Sequence, residues 1–348
     1  MQFSELPLVA NVGLFAVAAG GVWFAGSALA GYADAIADRK KLGKALMGLV
    51  FLATATELPE IATTFSAAIA GSASLVLNNM FGGITLQTAV LALTDALVVR
   101  GALTYYPRKP THTLEAALLI VLLTLLLFLS VAGDSPILFN VGAGTTVLAV
   151  AYLLSVKLLR HYDDEGDWVP VELPDDLSPD PAHLNTRRLS GLSIRQLAVR
   201  SAAAAAVILI CGVVLVHASQ AIAVQSGLGT SFVGVTLLAA ATSLPELSTT
   251  IAAARLGAFT MAISNIFGSN LIMLVLLFPA DILYRHGTII DAAGRPEILA
   301  LISGILVTAV YVVGLLVRRK PQVLGMGIDS ACVVAIYVVS LIVFYMVR

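Results

Sequence analysis

Charge is what this sequence has least of. Only 12% of its 348 residues are Asp, Glu, Lys or Arg, where a soluble chain runs nearer ~25%. So few ionic groups cannot cover a water-facing surface, which excludes an ordinary soluble enzyme and a disordered scaffold. Neither sign dominates. The formal net charge is −1, so no basic field draws nucleic acid, and none is expected as a partner. Cysteine is nearly absent: Cys211 and Cys332 are the only two, both inside apolar runs. They read as small core residues, not as a disulfide or metal framework. GxGxxG, HExxH and P-loop patterns are missing, as is any nucleophile–base pair, so neither an enzyme nor a bound cofactor is expected. The opening MQFSELP lacks a basic region, so the first apolar run is expected to be a retained span rather than a cleaved signal.

Hydrophobic residues fill the space instead, at 59% of the chain and a mean hydropathy of +0.95. A helix needs about 20 apolar residues to cross the hydrocarbon. Runs of that kind lie at 8–31, 43–69, 73–99, 113–132 and 138–159, then at 197–218, 230–254, 258–284, 297–317 and 325–347. The chain is therefore expected to be an all-α polytopic membrane protein of about ten spans. Its first half would occupy 1–160 and its second 197–348. Between them, 161–196 is polar, acidic and rich in proline, the composition of an exposed linker.

Loop charge sets the expected orientation. With both termini outside, seventeen of the twenty Lys and Arg fall in cytoplasmic loops, and only Arg285, Arg295 and Arg348 fall outside. The positive-inside rule then places the linker in the cytoplasm and the chain in the plasma membrane, in a bacterium the inner membrane. Five spans per half is an odd number, so duplicated halves would be inverted relative to one another. The duplication is visible at a constant offset of 186. LATATELPEIATT (Leu52–Thr64) matches LAAATSLPELSTT (Leu238–Thr250) at nine of thirteen positions, and Asn78–Gly83 pairs with Ser264–Ser269. Inverted repeats with Pro- and Gly-interrupted helices in matching places point to a secondary transporter with its site at the midplane.

Glu60 and Glu246 lie deep in the second and seventh runs. An ionised carboxylate there costs at least ~2.5–3.5 kcal/mol and normally faces a cavity or a partner. No Lys or Arg stands near mid-span to neutralise either; the natural counter-charge is a cation or a proton. Pro59 and Pro245 precede them and free a carbonyl one turn earlier. A carboxylate, a Thr hydroxyl four residues before it and a loosened carbonyl together make a site for a hard ion.

These motifs resemble the alpha-repeat of the calcium/cation antiporter superfamily, which contains the sodium/calcium exchangers. The second copy, ATSLPELSTT followed by SNIFGSN, is near the family pattern, and the first is more divergent. The resemblance implies that alpha-repeats occupy 43–99 and 230–284. It implies that Glu60 and Glu246 hold calcium, that Thr56 and Thr242 offer oxygens to calcium or sodium, and that the backbone oxygens of Ala53 and Ala239 join them. Ser243, Ser269 and Asn270 match further polar positions. The first copy departs, with Glu57 opposite Ser243, Gly83 opposite Ser269 and Ile84 opposite Asn270. A further polar position of the family is Gln87 in one copy and Met273 in the other. A thioether is a poor ligand for a hard ion.

The expected function is a secondary-active antiporter that exports Ca2+ or a related divalent cation by alternating access, reset by Na+ or H+. The loss of several neutral oxygens and the gain of Glu57 favour H+. A non-transporting receptor or scaffold that kept the fold is the alternative. Asp95 and Asp281 read as solvated helix-end carboxylates with a possible ion-entrance role, Asp134 and Asp329 as interfacial groups. The five histidines, at 112, 161, 183, 217 and 286, read as solvated near loops.

Overall fold

Hydrocarbon offers a backbone no hydrogen-bond partner, so apolar runs that cross it must satisfy their own peptide groups as helices. The computed structural model bears this out, and it describes residues 3–40, 47–99, 102–107, 110–138, 141–165, 189, 191–226, 240–318, 322–323 and 325–347. Helix α1 (Leu8–Lys40) carries Arg39 and Lys40 in its last turn, where cations suit the negative helix end. Arg39 also donates to the carbonyls of Leu189 and Leu192. Next come a π-helical turn (Met47–Leu52), α2 (Ala53–Thr56), α3 (Leu58–Ile69) and α4 (Ala73–Val98). A 3-10 turn (Leu103–Tyr105) leads to α5 (Thr111–Ala132), a hairpin of β1 (Pro136–Leu138) with β2 (Val141–Gly142), and α6 (Ala143–Glu165).

The succession then recurs. Helix α7 (Ile194–Gln225) opens with a capping box made by Ser193 and Gln196. It is followed by α8 (Leu244–Arg255), α9 (Phe259–Leu283), a 3-10 turn (Ile290–Ala292) and α10 (Arg295–Val317). A hairpin of β3 (Gln322–Val323) with β4 (Met326–Gly327) leads to α11 (Ile328–Val347). Of the ten predicted runs, eight are single helices long and apolar enough to cross a membrane. The other two are not single helices. Run 43–69 is interrupted at Glu57, and run 230–254, described from residue 240, is interrupted at Ser243. Most of the predicted linker, and Ala239, lie outside the described residues.

The largest core joins α4, α5, α9 and α10 around Phe81, Leu119, Phe267 and Tyr311. Phe267 meets Tyr311 edge-on at 5.6 Å. The π-helical turn lies directly on α9. A Cβ at Gly268 would stand 2.5 Å from the Leu49 carbonyl oxygen, and one at Gly48 2.5 Å from that of Met261, so only glycine lets the two backbones approach. Helices α1 and α7 pack along each other and against the interrupted helices. Gly26 of α1 abuts Ser248 of α8, and a Cβ at Gly212 of α7 would lie 2.5 Å from Pro59 Cγ of α3. Cys211 packs on Gly21 as a small core residue, but Cys332 is exposed on α11, contrary to expectation.

Asp95 and Asp281 also depart from expectation. Neither is solvated: both are fully buried. Asp281 accepts hydrogen bonds from Ile289 N (2.8 Å), Gly142 N (2.7 Å) and Thr145 Oγ1 (2.7 Å). Asp95 accepts the same kind of set, from Leu103 N (3.0 Å), Gly327 N (2.9 Å) and Ser330 Oγ (2.7 Å). Each carboxylate thus pins the turn after its own helix and the hairpin of the other half. Donors arranged around the ion outweigh the unfavourable helix end on which each Asp sits. Asp134 is half-buried beside this joint and accepts from Gly144 N; burial, with the charges of Asp281 and Asp291, holds its carboxyl above the usual carboxylate range.

Removing such an acceptor leaves at least two buried backbone donors unmatched, at a cost of about 3 kcal/mol. Asp281→Ala and Asp95→Ala are therefore expected to lower the thermal midpoint of the detergent-purified protein by several degrees. A pair of melting curves against wild type checks this, with exposed Glu5→Ala as the unaffected control.

Candidate functional site

The two interruptions put their side chains in one place. Glu57 (φ −73°, ψ −4°) and Ser243 (φ −82°, ψ 3°) are equivalent by the 186 offset and hold nearly the same conformation. Each is followed by a helix whose second residue is proline, Pro59 or Pro245. Proline suits this position because its missing N–H has no intrahelical partner to lose. Glu60 and Glu246 consequently fall in the first turns of α3 and α8, where the positive helix end favours a carboxylate.

All three carboxylates are withdrawn from solvent: Glu57 is 0% exposed, Glu60 2% and Glu246 0%. The charges that act on Glu60 are those of Glu246 and Glu57, and Glu246 feels Glu57. Hydroxyls cross between the halves. Thr242 reaches Glu60, and Thr56 reaches Glu246. Gln87 Nε2 donates to Glu57 Oε1 at 3.1 Å, and Ser269 lies beside the same carboxyl. Glu57 therefore faces the cluster.

Even so, many of these oxygens complete no hydrogen bond. Both oxygens of Glu60, both of Glu246 and Oε2 of Glu57 are buried without a partner, as are Gln87 Oε1, Ser269 Oγ and Asn270 Oδ1. Unmatched buried oxygens are costly, and every atom in this set is a hard donor of the kind Ca2+ or Na+ takes. Among the described residues no three carboxylates, histidines or cysteines close on one point, so neutral oxygens must complete any coordination shell. Ser243 is buried at the break. The Ala53 carbonyl is already engaged, accepting from Thr56 Oγ1 (3.1 Å) and Glu57 N (3.0 Å).

A departure in each copy interlocks with one in the other. A Cβ at Gly83 would lie 2.5 Å from Met273 Cε, so the thioether fills the room that a side chain at position 83 would need. Three contacts escape sequence reasoning. Asn270 Nδ2 donates to Thr88 Oγ1 (3.3 Å), and Asn265 Nδ2 donates to Thr249 and Thr250 (3.0 and 3.1 Å). His112, expected to be solvated, is 1% exposed and bonds Glu115. His112 and Glu115 stand three apart on one helix, a spacing that could have flagged them, but their partner Ser264 is 149 residues from Glu115.

The sodium/calcium exchanger protein family pattern matches residues 10–158 and 197–346. The chain is 26% identical over 266 residues to the putative antiporter CaxA of Alkalimonas amylolytica, covering 75% of this chain and 76% of that protein. It is 26% identical over 279 residues to the inner membrane protein YrbG of Escherichia coli K12, covering 80% and 79%. The sodium-calcium exchanger NCX_Mj, soaked with 2.5 mM Na+ and 0.1 mM Ca2+, superposes with a TM-score of 0.70 at 17% identity, over 96% of this chain and 98% of that one. The same exchanger soaked with 10 mM Na+ and no Ca2+ gives 0.68 at 18% identity, over 97% and 99%. Likeness at such identity speaks for the fold.

Glu246→Gln and Glu60→Gln should each weaken Ca2+ binding at least about 100-fold, on the order of 2.8 kcal/mol. Equilibrium binding of radioactive Ca2+ to the purified protein measures this, with Asp134→Asn expected to stay near wild type.

Proposed function

This chain belongs to the sodium/calcium exchanger protein family, and we propose that, as a membrane-embedded cation antiporter, it exports Ca2+ or a closely related divalent cation in exchange for H+. The observation that carries this reading is the group of buried oxygens without partners on Glu57, Glu60, Glu246, Gln87, Ser269 and Asn270. An ion that sheds water needs such oxygens, and the carboxylates need its charge. Glu60 and Glu246 bind the divalent cation, Thr56 and Thr242 lend hydroxyl oxygens across the halves, and Ser243, Ser269 and Asn270 complete the polar wall. Ala53 and Ala239 take the backbone positions of the family's site.

Exchange follows from electrostatics. Carboxylates this near one another cannot all remain ionised without a cation, so protons and the divalent ion compete for the same atoms. Glu57 is the proton carrier in this reading. It stands three residues before Glu60, whose carboxyl feels its charge, and it faces the cluster through Gln87. Met273 packed on Gly83 removes room for a neutral ligand, which favours H+ over Na+ as the counter-ion. The two halves, 1–160 and 197–348, are inverted repeats, and the ion is exposed to each side in turn as α1 and α7 shift against the interrupted helices. Both termini face outside in the bacterial inner membrane, and the linker is cytoplasmic.

Ca2+ uptake into proteoliposomes holding a pH-sensitive dye tests the exchange. Wild type should move protons out as Ca2+ enters, and Glu57→Ser should reduce the proton movement at least about tenfold. Sodium-driven flux without proton movement, unchanged in Glu57→Ser, would reject the proton. Absence of flux under either gradient, with Ca2+ still bound, would favour a receptor or scaffold. For orientation, a cysteine introduced at a position in 165–180 should react only from the cytoplasmic side.

A further inference from the structure

The two hairpins that carry Glu60 and Glu246 are built alike and fastened differently. Helices α3 and α4 turn at Gly71 (φ 75°), and α8 and α9 at Gly257 (φ 73°), its equivalent at the 186 offset. Matching backbone bonds close each turn. Gly71 N donates to Ala68 O and Ser72 N to Ala67 O, both at 3.0 Å. Gly257 N donates to Ala254 O (3.0 Å) and Ala258 N to Ala253 O (2.9 Å). Beyond the turns, Asn79 is equivalent to Asn265, Thr63 to Thr249 and Thr64 to Thr250. The same side chains on the same frame have the means to make the same bonds.

They do not make them. Asn265 Nδ2 donates to Thr249 Oγ1 (3.0 Å) and Thr250 Oγ1 (3.1 Å), and all three residues are fully buried. In the other hairpin Asn79 Nδ2 and Thr64 Oγ1 are buried atoms without a partner. Asn79 and Thr63 are half-buried where their counterparts are buried. A donor and an acceptor left unmatched within one hairpin carry a cost that closing the hairpin would remove.

The helices that cover the two hairpins are also out of step. Gly26 of α1 and Gly212 of α7 are equivalent. A Cβ at Gly26 would lie 3.2 Å from Ser248 Cβ and 3.3 Å from Thr249 Cγ2, so α1 backs directly onto the bonded threonine. Strict symmetry would set Gly212 against Ala62. It lies instead against Pro59, three residues nearer the break, about 4.5 Å along the helix. The unmatched Asn79 and Thr64 therefore belong to the hairpin whose covering glycine stops short. The turns are the same, so they do not cause the difference; the placement of α1 and α7 accompanies it.

We propose that these two sets of side chains are alternating latches, one for each route to the carboxylates. In the inverted halves, α8 runs from its break toward the linker face of the membrane and α3 toward the opposite face. Asn265 bonded to Thr249 and Thr250 shuts the route from the linker face. Asn79 and Thr64, unbonded, leave the opposite route open. When α1 and α7 shift, Asn265 lets go and Asn79 takes Thr63 and Thr64 in the same way. Each state thus forms the bonds that the other lacks, which keeps the two close in free energy. The latches rest on the reading of the carboxylates as the cation site and of α1 and α7 as the moving helices.

Hydrogen–deuterium exchange of the full-length purified chain in lipid nanodiscs, without Ca2+, reads both latches at once. In wild type, peptides from 61–69 of α3 should exchange faster than those from 247–255 of α8. Asn265→Ala should speed exchange in 247–255 at least about threefold, near the worth of one neutral hydrogen bond, and slow it in 61–69 by a like factor. A bond that only holds its own hairpin would not cause that slowing. Asn79→Ala removes a bond of the other state and should slow 247–255 further. In the double variant the slowing at 61–69 should vanish, whereas independent sites would simply add. Faster exchange at 247–255 with 61–69 unmoved, or single effects that add in the double variant, overturns the latches. Where Asn265→Ala fails to fold, Asn79→Ala decides, and exchange at 247–255 equal to wild type overturns them. The exchange needs no cation, so a chain found to bind no Ca2+ would remove the transport reading and leave this result standing.

Discussion

Three carboxylates buried at two helix breaks, with one another's charges acting on them, impose a demand that ordinary helix packing cannot meet. A continuous helix would present Glu60 and Glu246 at mid-helix, where the peptide dipoles offer a carboxylate little. Interrupting the run at Glu57 and at Ser243 turns each position into the first turn of a new helix, with the favourable end directed at the acid. The rest of the bundle accommodates these breaks. Their proline rings need a flat neighbour, which Gly212 supplies to Pro59. The π-helical turn before the first break is held flush to α9 because Gly48 and Gly268 leave the backbones bare. At the ends of α4 and α9, Asp95 and Asp281 tie loops and hairpins down by paired sets of three hydrogen bonds.

Much of this was legible in the sequence, because bilayer crossing depends on composition and length alone. The apolar runs locate eight of the long helices to within a few residues at most ends, though α1 and α7 run well past them. Two acids without a basic neighbour, each after a proline, mark where the buried carboxylates gather at the helix breaks. The breaks themselves were hinted at by those prolines, but the turn before the first break, at Glu57, is seated on α9 through Gly48 and Gly268. That is a tertiary contact, and no local propensity encodes it.

The site was less legible wherever partners come from opposite halves. Thr242 reaching Glu60 and Thr56 reaching Glu246 follow from the folding of one half against the other. Asp95 and Asp281 were misread for a simple reason. An acid near a helix end most often faces water, and its three donors, two of them on segments distant in sequence, become visible only when the hairpins dock. His112 was misread for the same reason, since its burial is created by α9. Glu57 carries the opposite lesson: its oddity was plain in the alignment of the two copies, and Gln87, itself a departure, turns out to be its hydrogen-bond donor.

The contact between Gly83 and Met273 has a consequence for how such a chain can change over time. Because the thioether methyl occupies the space above Gly83, a serine introduced at 83 alone needs only the flexible end of Met273 to swing aside, whereas a shorter residue introduced at 273 alone would open a void in the core. A change at 83 therefore opens the way to one at 273, while the reverse order passes through a void. Two positions 190 residues apart in the chain thus share one space, and the order in which they can change is set by which of them holds the flexible side chain.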